Sequence, residues 1–182
     1  MREFVYPEMM VHVPMCTHQT PQNVLVVGSA PEVLQTELAR YGSGSVVTHA
    51  PATLEALREV ADGSMDVILY DADVDAAVAG HISRILTAEG VVSLRHPSLE
   101  EVQANTVLLS VLCNYFKIIM PYRLANEETL LLASKGNHPT ADLNLHRADM
   151  LDGLQYYNSD IHPAAFAMPN YIRKIYLGII RN

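Results

Sequence analysis

Residues 23–28, Asn-Val-Leu-Val-Val-Gly, form a short apolar run closed by a glycine. A run this short, with β-branched residues and a glycine stop, is a buried strand rather than a helix. The residues after it, PEVLQTELARYG at 31–42, carry apolar positions at helical spacing, with Pro31 suited to a first turn and Gly42 to a stop. Strand followed by helix is the unit from which the rest of the chain is read.

Working outward, the same alternation repeats. SVVTHA (45–50) reads as a strand and PATLEALREVADG (51–63) as a helix; MDVILYD (65–71) is a strand closing on Asp71. AAVAGHISRILTAEG (76–90) reads as a helix, VVSLRH (91–96) as a strand, and 98–116 as a long helix capped by Ser98. KIIMPYRL (117–124) and ETLLLASKG (128–136) are two closing strands, and a final helix is expected over roughly 169–180. Before the first strand, 5–18 reads as a helix interrupted or ended near Pro14. Apolar strands alternating with helices predict a Rossmann-like α/β fold, a mostly parallel sheet with helices on both faces. Ligands in such sheets sit at the carboxyl ends of the strands. That directs attention to Gly28–Glu32, His49, Asp71–Asp75 and Arg95–His96.

Composition narrows the class. With 182 residues, 49% of them hydrophobic, the chain has enough material for one domain with a real core. A single domain over 1–182 is expected, with a leading helix in 1–20 and a distinct tail over 147–182. A net charge of −8 disfavours a nucleic-acid partner, because phosphate binding needs clustered Lys and Arg. No apolar run reaches membrane-spanning length and no signal-peptide pattern opens the chain. Cys16 and Cys113 are isolated, which fits buried thiols in a reducing compartment, so a cytoplasmic protein is expected, with no metal site. So apolar a chain is expected to cover surface by self-association, a two-fold homodimer being the default.

The tail Tyr156-Tyr157-Asn158-Ser159-Asp160-Ile161-His162-Pro163-Ala164-Ala165-Phe166-Ala167-Met168-Pro169 resembles the C-terminal signature of the polyamine aminopropyltransferases, the spermidine synthases. EFVYPEMMVHVPMCTH (3–18), followed by VLVVG, is similar to that family's Y-H-E-M-x-x-H-x-P segment and first strand, and LLLASKG (130–136) falls where the family has its late strand. The resemblance implies a class I methyltransferase-like fold with no permanently bound cofactor. It implies decarboxylated S-adenosylmethionine as co-substrate, a diamine such as putrescine as acceptor, and methylthioadenosine as by-product.

It also implies roles. Asp71 takes the place of the catalytic carboxylate, the first Asp of a D-x-x-D pair, and Tyr6 that of a tyrosine lying against the substrate. Asp73, Asp75, Glu8 and Tyr122 become candidate substrate contacts; Gly28, Ser29, Ala30, Glu32 and His49 become candidate donor contacts. Several positions depart from the family pattern. The second Asp of the pair falls on Val74, and Pro31 replaces the acid of the glycine-rich loop, with Glu32 one residue later. A strand–helix unit carrying the ribose-binding acid is expected to be missing, and His49-Ala50 stands where an adenine-side acid would be. Arg123 occupies the place of a substrate-side tyrosine, Asp71–Gly90 is shortened, and the sequence starts almost on the Y-H-E motif, so a compact form lacking the family's N-terminal β-domain is expected. Three readings follow: a working aminopropyltransferase, a non-catalytic or regulatory homologue, and a transferase using intact S-adenosylmethionine. In the last, Arg123 or Arg95 would pair with the donor carboxylate.

Overall fold

The computed structural model describes residues 2–28, 31–125 and 128–181. Six strands form one sheet: β1 (Asn23–Gly28), β2 (Val46–Ala50), β3 (Met65–Asp71), β4 (Leu86–His96), β5 (Ile118–Arg123) and β6 (Thr129–Ser134), in the order β2-β1-β3-β4-β6-β5. The first four are mutually parallel, while β6 runs antiparallel to both β4 and β5. The expected mostly parallel sheet is present, with an antiparallel hairpin at one side.

Strand alternation divides the core. Val24, Val26, Val67, Leu69, Val91, Leu132 and Tyr122 face one way, toward α1 (Val5–Thr17), α2 (Pro31–Leu38) and the tail. Leu25, Val27, Ile68, Tyr70, Val92 and Leu131 face the other, toward α3 (Leu54–Glu59), α4 (Ala76–Ile85), α5 (Val102–Leu112) and α8 (Asn170–Ile175). Both faces are therefore covered, as uninterrupted apolar strands require. α1 runs through Pro14 to Thr17 and is buried along nearly its whole length. Among the described residues, no helix is long and apolar enough to cross a membrane.

The boundaries correct several expectations. α4 stops at Ile85, and LTAEG belongs to β4 instead of the helix. The pairing jumps from Met65↔Leu86 to Val67↔Val91, so residues 87–89 loop out as a bulge. Gly90 closes that bulge, where a Cβ would lie 2.8 Å from Leu86 Cβ. Lys135 Nζ and Asn137 Nδ2 donate to the Leu86 and Glu89 carbonyls at 2.8 and 2.7 Å, supplying partners the ladder loses there.

Ser98 is not the cap of α5, which begins only at Val102. Its carbonyl instead accepts from Asn105 Nδ2 at 2.6 Å. α3 is shorter than expected, capped by Thr53 Oγ1 and ended where Arg84 binds the Leu57 and Val60 carbonyls together with Asp62. The last helix ends at Ile175, and the chain turns back to pair Arg181 with Ile119 on the outer side of β5.

Candidate active site

β1 and β3 end side by side, with Gly28 opposite Asp71. Gly28 has φ +147°, a conformation L side chains rarely adopt, and a Cβ there would fall 2.9 Å from both Asp71 Cβ and Asp71 O. Asp71 is thus held by the backbone of the neighbouring strand.

From the other side come Tyr6, in the first turns of α1, and Arg95, one strand over on β4. Arg95 Nε lies 2.6 Å from Asp71 Oδ1, with the Asp71 side chain only 9% exposed and that of Arg95 62% exposed. The contact is a charge pair and not an aligned hydrogen bond, since Asp71 Oδ1 finds no hydrogen-bond partner. The Tyr6 hydroxyl sits in the same group, buried and likewise without a hydrogen bond of normal geometry. Burial raises its pKa, the Asp71 carboxylate adds to the rise, and Arg95 opposes it, so the phenol stays protonated.

Two clefts open from this group. One, of about 580 Å³, lies between Tyr6, Arg95, Glu101, Leu124, Glu128 and Thr129. The second, of about 550 Å³, is bounded by Asp73, Asp75 and Arg95 and walled by Val74, Val107 and Leu108. His96 lies between them, lining both. Burial pushes its pKa down to about 4, so it is neutral near pH 7. Thr129 Oγ1 donates to the Pro97 carbonyl at 2.7 Å and so accepts from His96 Nδ1 at 3.4 Å, which puts the imidazole proton on Nδ1.

The structure brings Tyr6, Asp71 and Gly28 into one place and distributes the other sequence candidates around it. Asp73 and Asp75 border the second cleft, and Asp75 Oδ1 also caps α4 by accepting from Val78 N at 2.8 Å. Glu32 is exposed on the first turn of α2, and His49 is exposed on the edge strand β2 opposite Val26. Ser29 and Ala30 lie outside the described residues.

Glu8 and Tyr122 do not face a cleft. Glu8 is 1% exposed, and its two oxygens accept backbone N–H bonds from Gln155, Tyr156 and Tyr157 at 2.8–2.9 Å, so it anchors the tail. Tyr122 is fully buried because strand alternation turns it toward α1; its hydroxyl lies 2.6 Å from Ser93 Oγ and donates to the Met9 carbonyl at 3.3 Å. Arg123 points the opposite way, beside Tyr171, whose hydroxyl donates to Glu100 Oε1 at 2.6 Å, and it lines neither cleft.

The tail that Glu8 anchors packs as a unit. Tyr157 Oη lies 2.7 Å from His162 Nδ1, His162 Nε2 donates to the Pro139 carbonyl at 3.0 Å, and Phe166 lies against Tyr122 with ring centroids 5.2 Å apart. Glu101 and Glu128 line the first cleft without having been foreseen from the sequence. Arg95 and His96, at the end of a parallel strand, are among the positions the strand-end rule singles out, and both line the two clefts.

Comparison with known proteins gives a consistent picture. Residues 3–78 match the spermine/spermidine synthase domain. A polyamine aminopropyltransferase of Helicobacter pylori (strain G27) is 32% identical over 123 residues, which take in 64% of this chain and 47% of the relative. The chain thus spans about half the length of the first curated relatives it matches. A polyamine aminopropyltransferase of Alkaliphilus oremlandii is 23% identical over 222 residues, covering 95% of this chain and 78% of the relative. That aligned span exceeds the 182 residues here, so part of it stands opposite gaps in this chain. Among solved structures, the spermidine synthase of Thermotoga maritima superposes with a TM-score of 0.82 at 22% identity, covering 95% of this chain and 74% of that one. A spermidine synthase in complex with the transition-state analogue AdoDATO gives 0.83 at 22% identity, over 95% and 75% of the two chains. At that identity the superpositions speak to the fold.

Proposed function

Because residues 3–78 match the spermine/spermidine synthase domain and the curated relatives are polyamine aminopropyltransferases, we propose that this chain is a member of that family and an aminopropyltransferase. In this reading it moves the aminopropyl group of decarboxylated S-adenosylmethionine onto an amine, with a diamine such as putrescine as first candidate acceptor. The observation that carries the proposal is the meeting of Tyr6 and Asp71, from separate segments, at the carboxyl ends of β1 and β3 beside two clefts. The amine nitrogen attacks the methylene carbon bonded to sulfur. As the C–N bond forms, the C–S bond breaks, and its electron pair leaves on the neutral thioether, methylthioadenosine.

The sulfonium already activates that carbon, so the protein's work is alignment and removal of the amine proton. In this reading Asp71, which adjoins the clefts through Arg95 and Tyr6 without lining either, accepts that proton. Tyr6, kept protonated, offers a hydroxyl to the same centre, while Asp73 and Asp75 are the carboxylates available to a distal ammonium. Gly28, at the end of β1, is proposed as a donor contact together with Ser29, Ala30, Glu32 and His49.

Incubation of the protein with decarboxylated S-adenosylmethionine and a panel of diamines, following methylthioadenosine by mass spectrometry, tests this. Amine-dependent release that falls at least a hundredfold in Asp71→Asn supports the proposal. Folded protein releasing none, with every amine tried, refutes it. The proposal places the enzyme in the cytoplasm as a two-fold dimer; light scattering that returns the mass of one chain would refute the dimer.

A further inference from the structure

Arg95 sits oddly in a site that handles cationic amines. It is the one cation among the described lining residues of both clefts, because His96 between them is neutral. Its Nε lies against Asp71 and the Tyr6 hydroxyl is close by, but the side chain is 62% exposed and lines both clefts, which leaves guanidinium N–H groups open to a ligand. A dicationic acceptor passing this residue would meet like charge. A planar fork of N–H donors is instead the group that matches a carboxylate.

The second cleft fits the rest of such a molecule. Asp73 and Asp75 supply carboxylates for an ammonium, and the wall of Val74, Val107 and Leu108 suits an aliphatic chain between the two charged ends. Charges of both signs around an apolar wall match an ammonium and a carboxylate carried on one aliphatic skeleton.

We propose that one substrate of this site carries a carboxylate, and that the open guanidinium N–H groups of Arg95 bind it. The inference rests on the transferase reading above and specifies its substrate class. Two sources share the chemistry: a sulfonium donor that keeps its α-carboxylate, or an acceptor that is an amino acid with a terminal amine. In either case the nitrogen attacks the carbon bonded to sulfur, the C–S pair leaves on methylthioadenosine, and the amine proton passes to Asp71.

The test crosses two donors, S-adenosylmethionine and its decarboxylated form, with two acceptors, putrescine and its amino-acid counterpart 4-aminobutyrate. Methylthioadenosine release and product mass are measured for the native protein, Arg95→Gln and Arg95→Lys, with folding checked by circular dichroism. The expected result is a kcat/KM at least tenfold higher for a pair containing one carboxylate than for the pair with none. Arg95→Gln should raise the KM of the carboxylate-bearing substrate more than it lowers kcat, and Arg95→Lys should recover part of the loss. Best turnover with the decarboxylated donor and putrescine, improved by Arg95→Gln, would overturn the inference while leaving the transferase intact. If no pair turns over, calorimetry separates the two ideas. Binding of S-adenosylmethionine or 4-aminobutyrate that is lost in Arg95→Gln supports the carboxylate site without the transferase, and no binding of either refutes both.

Discussion

Gly28 and Asp71 touch across two parallel strands so closely that the space for a side chain at position 28 is already filled by Asp71. The position of the carboxylate and the absence of a side chain next to it are one structural fact. Gly28→Ala must therefore either push Asp71 out of place or bend the end of β1, and it also forces alanine to φ +147°. A loss of about 1–3 kcal/mol is expected, read as a lower urea midpoint. Transferase activity should fall further than the stability loss explains, because the carboxylate itself moves.

Glu8 gives a second prediction. Its buried carboxylate accepts three backbone N–H groups from residues 155–157. Glu8→Gln turns one acceptor oxygen into an NH2 group facing donors, at an expected cost of roughly 2–3 kcal/mol. Limited proteolysis should then cut the chain between 150 and 160 faster than in the native protein. Unchanged cleavage would show that the tail holds itself in place without the anchor.

Acid should destabilise the fold in a definite window. Burial pushes His96 and His162 from about 6.5 to about 4, so each is neutral in the folded chain where the unfolded chain is protonated. The unfolded state then binds more protons between pH 6.5 and 4, and stability falls as pH drops through that range and levels below it. The cost is roughly 3 kcal/mol for each histidine at the bottom of the window. Urea midpoints at half-unit pH steps measure it, and His162→Gln should flatten the slope without abolishing it, since burial also lowers the pKa of His12 and His18.

Gly90 offers a purely structural test. A Cβ there would meet Leu86 Cβ at 2.8 Å and the Thr87 carbonyl oxygen at 3.0 Å, inside the bulge of β4. Gly90→Ala is expected to cost about 1–3 kcal/mol and to speed amide exchange over 86–91. Equal exchange in both proteins would mean that the bulge has room to open.

That bulge also shows where sequence reading loses its grip. NVLVVG and MDVILYD are legible as strands because burial on both faces keeps their central positions, 24–27 and 67–70, hydrophobic. LTAEG lies between a helix and a strand with Gly90 at its end, and a helix stop and a bulge closure use the same residue for different reasons. The site divides along similar lines. Tyr6, Gly28 and Asp71 were readable because they lie in a short block that resembles the family motif or at strand ends. Glu8 shares a block with Tyr6, yet its role depends on backbone 147 residues away. Tyr122 and Arg123 are adjacent, and only the register of β5 against β6 decides which one turns toward α1. The Arg95–Asp71 pair joins two parallel strands across a crossover, a proximity no local pattern encodes.

The return of Arg181 to Ile119 makes the two margins of the sheet unequal. On the β5 side the chain's own end takes up backbone hydrogen bonds at Ile119, in both directions. On the β2 side, among the described residues, no strand lies beyond, and Val46 and His49 are open to solvent. An additional strand, whether from this chain's relatives, a fused segment or a misfolded neighbour, finds vacant donors and acceptors along β2 but must first displace the terminus at β5. The sheet therefore has a direction of growth, and insertions or fusions engineered into this protein should be placed with β2 as the extensible side.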